Sequence, residues 1–136
     1  MTTSTVKYQG QLRTLALHLQ SNSEVITDAP IDNQGKGEAF SPTDLVATAL
    51  ASCMMTIMGI KADDLAVDIT GTSATIKKHM SVTPRRISEI EVVITLNQNF
   101  DSRTKKLLEA AALTCPVAQS LHSETKQTIE FIYPKE

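Results

Sequence analysis

The chain has two cysteines, Cys53 and Cys115, 62 positions apart, and theirs are the side chains with the most distinctive chemistry. A thiolate is a nucleophile, a reductant and half of a disulfide, so two thiols together can run a cycle of oxidation and reduction. Their settings differ. Cys53 lies within Ala51-Ser52-Cys53-Met54-Met55, an apolar run in which a free cysteine can serve simply as a small hydrophobe. Cys115 precedes Pro116. The residue before a proline is pushed out of the α region, as a helix N-cap must be, and proline suits the first helical position. A sulfur there faces unbonded N–H groups and the positive end of the helix dipole, which lowers a thiol pKa. Local physics therefore names Cys115 as the more acidic thiol. Cys53 lies well inside its helix and needs a cation brought to it by the fold.

Other chemistry fails on pattern. Gly35-Lys36-Gly37 falls short of a phosphate loop twice, with Pro30 where the first glycine belongs and Gly37 where Ser or Thr is required. His18, His79 and His122 have no metal-ligand spacing and read as surface histidines, although His122 follows Cys115 by two turns. There is no Ser-His-Asp signature and no flavin or nicotinamide glycine motif. No cofactor and no metal are expected.

The thiols must be positioned by an α+β fold. Val6 to Tyr8 and Leu15 to Leu19 predict a hairpin turning at Gln9-Gly10-Gln11, with a third short strand at Glu24 to Thr27. Asp28 to Phe40, rich in Gly, Pro, Asn and Asp, reads as a loop. Ser41 as N-cap, Pro42 at the first helical position and Asp44 as capping-box partner then start a long helix running to Ile60 or Lys61. Val46, Ala49, Leu50, Cys53, Thr56, Ile57 and Ile60 share one face of it, which is expected to be an apolar stripe containing Cys53. Leu65 to Val82 reads as a strand with a bulge at Gly71, Thr83 to Arg86 as a turn, and Ile87 to Leu96 as a strand. Asp101 or Ser102 caps a second helix with Leu107, Leu108, Ala111 and Ala112 on its apolar face and Lys105, Lys106 and Glu109 in solvent. A short helix from Pro116 to about His122 and a strand from Thr128 to Tyr133 complete the order.

With 136 residues, 41% of them hydrophobic and 21% charged, the chain reads as one domain, 1–136, with enough apolar residues for a core. A formal charge of −2 and a pI near 5.9 lack the basic excess of a nucleic-acid binder. The uncharged stretch Leu45 to Ile60, 16 residues with three hydroxyls, falls short of the ~20 apolar residues of a membrane span. It reads instead as a buried helix, with no membrane partner. No secretory signal is visible in Met1 to Gln9, and two free cysteines suit a reducing compartment, so a cytoplasmic location is expected.

Phe40-Ser41-Pro42-Thr43-Asp44-Leu45, followed by Ala51-Ser52-Cys53, resembles the central-helix signature of the OsmC/Ohr family of organic hydroperoxide reductases. Thr114-Cys115-Pro116-Val117-Ala118 is similar to that family's second-cysteine motif. The order of elements matches as well, so the resemblance covers essentially the whole chain. It implies an OsmC/Ohr-like fold with N-terminal antiparallel strands, a long buried central helix, further strands and C-terminal helices. It also implies a thiol peroxidase in which Cys53 attacks an organic hydroperoxide. Cys115 then closes a disulfide with Cys53, and a lipoyl-type dithiol reopens it. The family arginine lies near the first hairpin, where Arg13 is the sole arginine; its other reading is a strand-edge surface residue. The peroxidase branches carry a glutamate directly after the helix-starting proline, and here that place holds Thr43. Glu38 and Asp44 are the candidate substitutes, which places the chain in a divergent branch. Phe40, Met54 and Met55 are candidate walls for the alkyl part of a substrate, or plain core. By the same resemblance the protein is a homodimer with active sites at the interface.

Two other readings stay open on the residues alone. One is a redox-sensing or ligand-binding protein of the same fold with little turnover, favoured by Thr43. The other has both cysteines buried and inert.

Overall fold

The computed structural model describes residues 1–135, which form two compact units, Met1–Val46 and the chain from Ala47 onward.

In the first unit β1 (Ser4–Gly10), β2 (Arg13–His18) and β3 (Glu24–Asp28) form an antiparallel sheet in that order. The first turn differs from expectation. Gly10 still belongs to β1, and the turn is Gln11-Leu12, with φ of 55° and 65°. Two-residue hairpins favour positive φ because the resulting twist matches that of the strands, and here two non-glycine residues adopt it. The pairing shifts between Tyr8 and Gly10, which sets Gly10 opposite Arg13. Leu12 is tied down on both sides: its N–H donates to Tyr8 Oη at 3.2 Å and its carbonyl accepts from the Ala29 N–H at 3.0 Å. The buried side chains of this unit are Thr27, Asp28 and Ser41, all polar. Residues 29–40 are irregular apart from a 3-10 turn at Ile31–Asn33.

The capping box forms as expected. The Asp44 N–H donates to Ser41 Oγ at 3.0 Å, and Asp44 Oδ2 accepts from the Ser41 N–H at 3.0 Å. Helix α1 (Pro42–Asp64) begins there and runs 23 residues, past Gly59 and beyond the expected end. It stops at a Schellman motif: the Val67 N–H bonds the Ala62 carbonyl, the Ala66 N–H bonds the Asp63 carbonyl, and Ala66 takes φ of 56°. By length and composition α1 could cross a membrane; in the fold it buries Ala47, Leu50, Ala51, Met54, Met58 and Ala62. That stripe is rotated by about one residue from the expected one, and Val46 and Ile60 are exposed.

In the second unit β4 (Ser73–Val82) pairs antiparallel with β5 (Arg85–Thr95), and β6 (Lys126–Ile132) pairs parallel with β5 on its other side. Between β5 and β6 lie α2 (Ser102–Leu113), capped by Asp101 Oδ1 at 2.8 Å from the Thr104 N–H, and α3 (Pro116–Ser120). Residues 65–72 are not strand as expected. They form a loop with Gly71 at φ of 97°, held by Asn97 Nδ2 and Gln98 Nε2 donating to the Asp68 carbonyl at 3.0 and 2.9 Å. Lys105 and Glu109 are not wholly solvated either. Tyr133 Oη donates to Glu109 at 2.7 Å, and Lys105 Nζ sits 4.5 Å from the Tyr133 ring centre. The core joins the buried face of α1 to Ile90, Val92, Ile94 and Leu96 in and just after β5, to Leu108 and Ala112 of α2, and to Cys115. Alternate residues of β5 supply one face, as a strand's period of two requires.

Ala66 carries the cost of a left-handed conformation that glycine adopts freely. Ala66→Gly is expected to stabilise the protein by about 0.5–1 kcal/mol in urea unfolding; an unchanged or lowered midpoint would contradict the strained cap.

Candidate active site

The two cysteines come together. Each is a free thiol, and the Cys53 side chain is close enough to Cys115 to help raise its pKa. Cys53 comes from the middle of α1, where it is partly buried and packs against the core cluster; Cys115 belongs to that cluster and is fully buried. Neighbours on α1 point about 100° apart, which sets Cys53 at the edge of the buried stripe while Met54 enters its centre.

Cys115 caps α3 as its sequence predicts. It has extended backbone, its Sγ accepts from the Ala118 N–H at 3.3 Å, and Pro116 opens the helix. The expected acidity does not follow. Burial pushes the Cys115 thiol above its ordinary value of 9.0, the Ala118 N–H opposes that shift, and Cys53 adds to it. Taking a thiolate out of water costs more than two N–H groups return. The donors are set by near neighbours in the chain, whereas the burial is set by distant ones.

Arg13 opens β2 and faces Asp28 across the β2–β3 ladder. Its Nε donates to Asp28 Oδ1 at 2.7 Å and its Nη2 to Oδ2 at 2.8 Å. The Asp28 side chain is 2% exposed, and its Oδ2 also accepts from the Glu38 N–H at 3.2 Å. Hydrogen bonding to Arg13 holds the Asp28 carboxyl below its usual range against the opposing effect of burial. Of the two carboxylates proposed from sequence, Glu38 brings Oε1 to 3.7 Å from Arg13 Nη2 and is 62% exposed. Asp44 is engaged in the capping box. The Thr43 hydroxyl lies 3.2 Å from Ser41 Oγ. The main acidic partner of Arg13 is thus Asp28, which sequence reasoning left inside a loop. Strand alternation carried past Thr27 would have reached it, but not its register against Arg13.

The candidate walls separate. Met54 is fully buried in the core, whereas Met55 lines an open cleft of about 490 Å3 with Thr48, Ala51, Ser52 and Thr56 of α1 and Ala74 and Ile76 of β4. Phe40 is half exposed in the first unit, and its carbonyl accepts from the Asp28 N–H at 3.0 Å. His18 bonds Ser21, His79 pairs with Glu91, and His122 meets Arg86 at 3.1 Å. Among the described residues, no three His, Cys, Asp or Glu side chains converge as metal ligands.

Residues 35–130 match the OsmC-like protein family model. The chain belongs to the OsmC-like family. A Psychrobacter arcticus 273-4 protein assigned to osmotic stress induction and the detoxification response is 61% identical, over 96% of each chain, with a TM-score of 0.94. Two further solved structures match the fold at low identity. The organic hydroperoxide resistance protein OsmC of Legionella pneumophila is 16% identical over 97% of this chain and 98% of that one, TM-score 0.76. An organic hydroperoxide resistance protein of Elizabethkingia anophelis is 14% identical over 98% of each, TM-score 0.75. No curated protein matches the chain. The OsmC-like family thus includes proteins named for resistance to organic hydroperoxides, and this chain has the same α+β fold.

The raised Cys115 pKa has a direct readout. In the Cys53→Ser protein, iodoacetamide is expected to modify Cys115 slowly at neutral pH, with the rate rising only above pH 9.0, since thiolate accumulates only near the raised pKa. A midpoint below 9.0 would mean that the N–H donors outweigh burial.

Proposed function

We propose that this OsmC-like protein is a Cys-based peroxidase that reduces organic hydroperoxides. The observation carrying the proposal is the adjacency of two free thiols, one partly and one fully buried, in the fold of proteins named for that resistance. The Cys53 thiolate attacks the outer peroxide oxygen. An S–O bond forms, the O–O bond breaks, and the alkoxide leaves as alcohol after taking a proton. Cys53 is then a sulfenic acid. The Cys115 sulfur attacks it, the S–S bond forms, and water departs with the sulfenic oxygen and the thiol proton. A lipoyl-type dithiol reopens the disulfide by exchange and becomes a disulfide itself. In this reading a neutral, buried Cys115 is protected from direct oxidation until Cys53 has reacted. By the resemblance Arg13 is the arginine of this chemistry, and no cofactor is required.

A homodimer belongs to the same proposal, with the active sites at its interface. Val6 and Tyr8 of β1 are each 64% exposed, and Val25 and Ile26 of β3 are 42% and 43% exposed. Successive strand residues point to opposite faces, so both faces of this small sheet present apolar side chains, which a second copy would cover. The cytoplasm is the compartment that suits two reduced thiols.

A redox sensor of the same fold is the second reading. Asp28 and Glu38 place two carboxylates around Arg13, and such an arginine carries less net charge to lend a thiolate.

With a lipoyl-type dithiol and tert-butyl hydroperoxide, the wild-type protein is expected to turn over continuously. Cys53→Ser should lose at least a hundredfold, and Cys115→Ser should complete one round and accumulate sulfenic acid detectable by dimedone. Turnover retained in Cys53→Ser would overturn the peroxidase, and a single stoichiometric oxidation in wild type would favour the sensor. Sedimentation equilibrium is expected to return twice the chain mass of 14.8 kDa; a monomer at micromolar concentration would remove the interface from the proposal.

A further inference from the structure

The Cys115 sulfur has two neighbours of different kinds. It accepts from the Ala118 N–H at 3.3 Å and so caps α3, and it lies beside Cys53 in the core cluster. Both cysteines and α3 belong to the second unit. A helix of five residues is too short to hold itself, and α3 buries none of its residues. Its other ties are the Gln119 N–H on the Cys115 carbonyl at 3.1 Å, Ser120 Oγ on the Pro116 carbonyl at 2.8 Å and Gln127 Nε2 on the Ala118 carbonyl at 3.1 Å. These leave the Ala118 N–H to the sulfur. The chain on either side is anchored more firmly. Upstream, the Cys115 N–H bonds the Ala112 carbonyl at 3.3 Å, at the end of a helix whose Leu108 and Ala112 are fully buried. Downstream, buried Thr125 donates from Oγ1 to the Ile87 carbonyl and from its N–H to the His122 carbonyl, each at 2.9 Å. Arg86 of β5 adds bonds to His122 and Glu124 at 3.1 and 3.0 Å. The stretch between these anchors is the part that can yield.

We propose that Cys115 is a redox-sensitive helix cap: as a thiol it holds the first turn of α3, and as a disulfide with Cys53 it releases that turn. Oxidation of the thiols thus opens the chain between Pro116 and Ser120. The proposal rests on the disulfide of the peroxidase reading and adds a conformational consequence to it. One organic hydroperoxide takes two electrons from the thiol pair, and the two thiol hydrogens leave in the alcohol and the water. Once bonded, Sγ goes where the S–S bond and its torsion put it, toward α1 and away from the Ala118 N–H. A backbone N–H left without a partner is costly. With no buried side chain to offset that cost, the turn opens and its N–H groups bond to water. Opening also gives a dithiol from solvent a path to a sulfur that is fully buried in the reduced protein.

Amide hydrogen exchange followed by NMR on the full-length protein, reduced and after stoichiometric tert-butyl hydroperoxide, reads the change residue by residue. The Ala118 amide is expected to exchange about tenfold faster in the disulfide state, the size of a lost helix cap. The Thr104 amide in the α2 cap and the Thr125 amide should keep their reduced-state rates. Unchanged Ala118 exchange in protein whose mass shows the loss of two hydrogens overturns the proposal. So does an acceleration shared equally by Thr104 and Thr125, which would be a general loosening and not release of one turn. Reduced Cys115→Ala should show fast Ala118 exchange with no oxidant present. Cys115→Ser, whose hydroxyl can cap but cannot form a disulfide, should keep that amide slow with and without hydroperoxide. Wild-type protection in Cys115→Ala overturns the proposal, and if a variant does not fold, the wild-type comparison decides alone. If hydroperoxide leaves the thiols apart but diamide joins them, the peroxidase reading falls and the cap is judged on the diamide product. If neither oxidant joins them, this proposal falls.

Discussion

Burial of one face of α1 in the core of the second unit is the constraint on which the meeting of the two cysteines depends. That face meets β5, the inner side of α2 and Cys115 in one cluster. Because the stripe runs through Ala47, Leu50, Ala51, Met54, Met58 and Ala62, Cys53 falls at its edge. It is near enough to the interior to meet Cys115 and is not sealed within it. A rotation of the helix by one residue would exchange Cys53 with Met54. Small residues on the stripe let α1 approach closely, and methionine fills the remaining space without a fixed shape.

The same packing divides the labour between the sulfurs. Cys115 sits where backbone donors would favour a thiolate, and burial outweighs them. The result is a fully buried thiol beside a more accessible one. Capping geometry and acidity are therefore separate properties. The first is local; the second depends on how much water the fold leaves around the group.

In the first unit the buried centre is polar. Asp28 anchors Arg13, the backbone of Glu38 and, through its own N–H, the carbonyl of Phe40. A buried carboxylate is tolerated only when it is fully bonded, and here the bonding tethers the loop after β3 to the strand that carries the arginine. The tight Gln11-Leu12 turn places Arg13 at the first position of β2, directly across from that anchor.

Much of this was legible in the sequence. The capping box at Ser41 and Asp44, the Cys115-Pro116 cap, the alternation of β5 and the paired cysteine motifs all depend on near neighbours, and they emerge as read. Three features did not. The phase of α1 was misread because residues 45 to 60 carry no charge, and the line of hydroxyls at Thr48, Ser52 and Thr56, four residues apart, is a weaker mark of the outer side. The end of that helix was misjudged because an alanine, not a glycine, takes the left-handed cap. Asp28 as the partner of Arg13 was hidden because cross-strand register depends on the turn and the pairing shift between Tyr8 and Gly10, neither of which a run of residue types encodes. The sequence by itself determined the α+β class, the start of α1 and the cap at Cys115. Only the tertiary structure decided which helix face is buried, which carboxylate holds the arginine, and that burial raises the Cys115 thiol where its cap alone predicts the opposite, since each of these depends on residues distant in the chain.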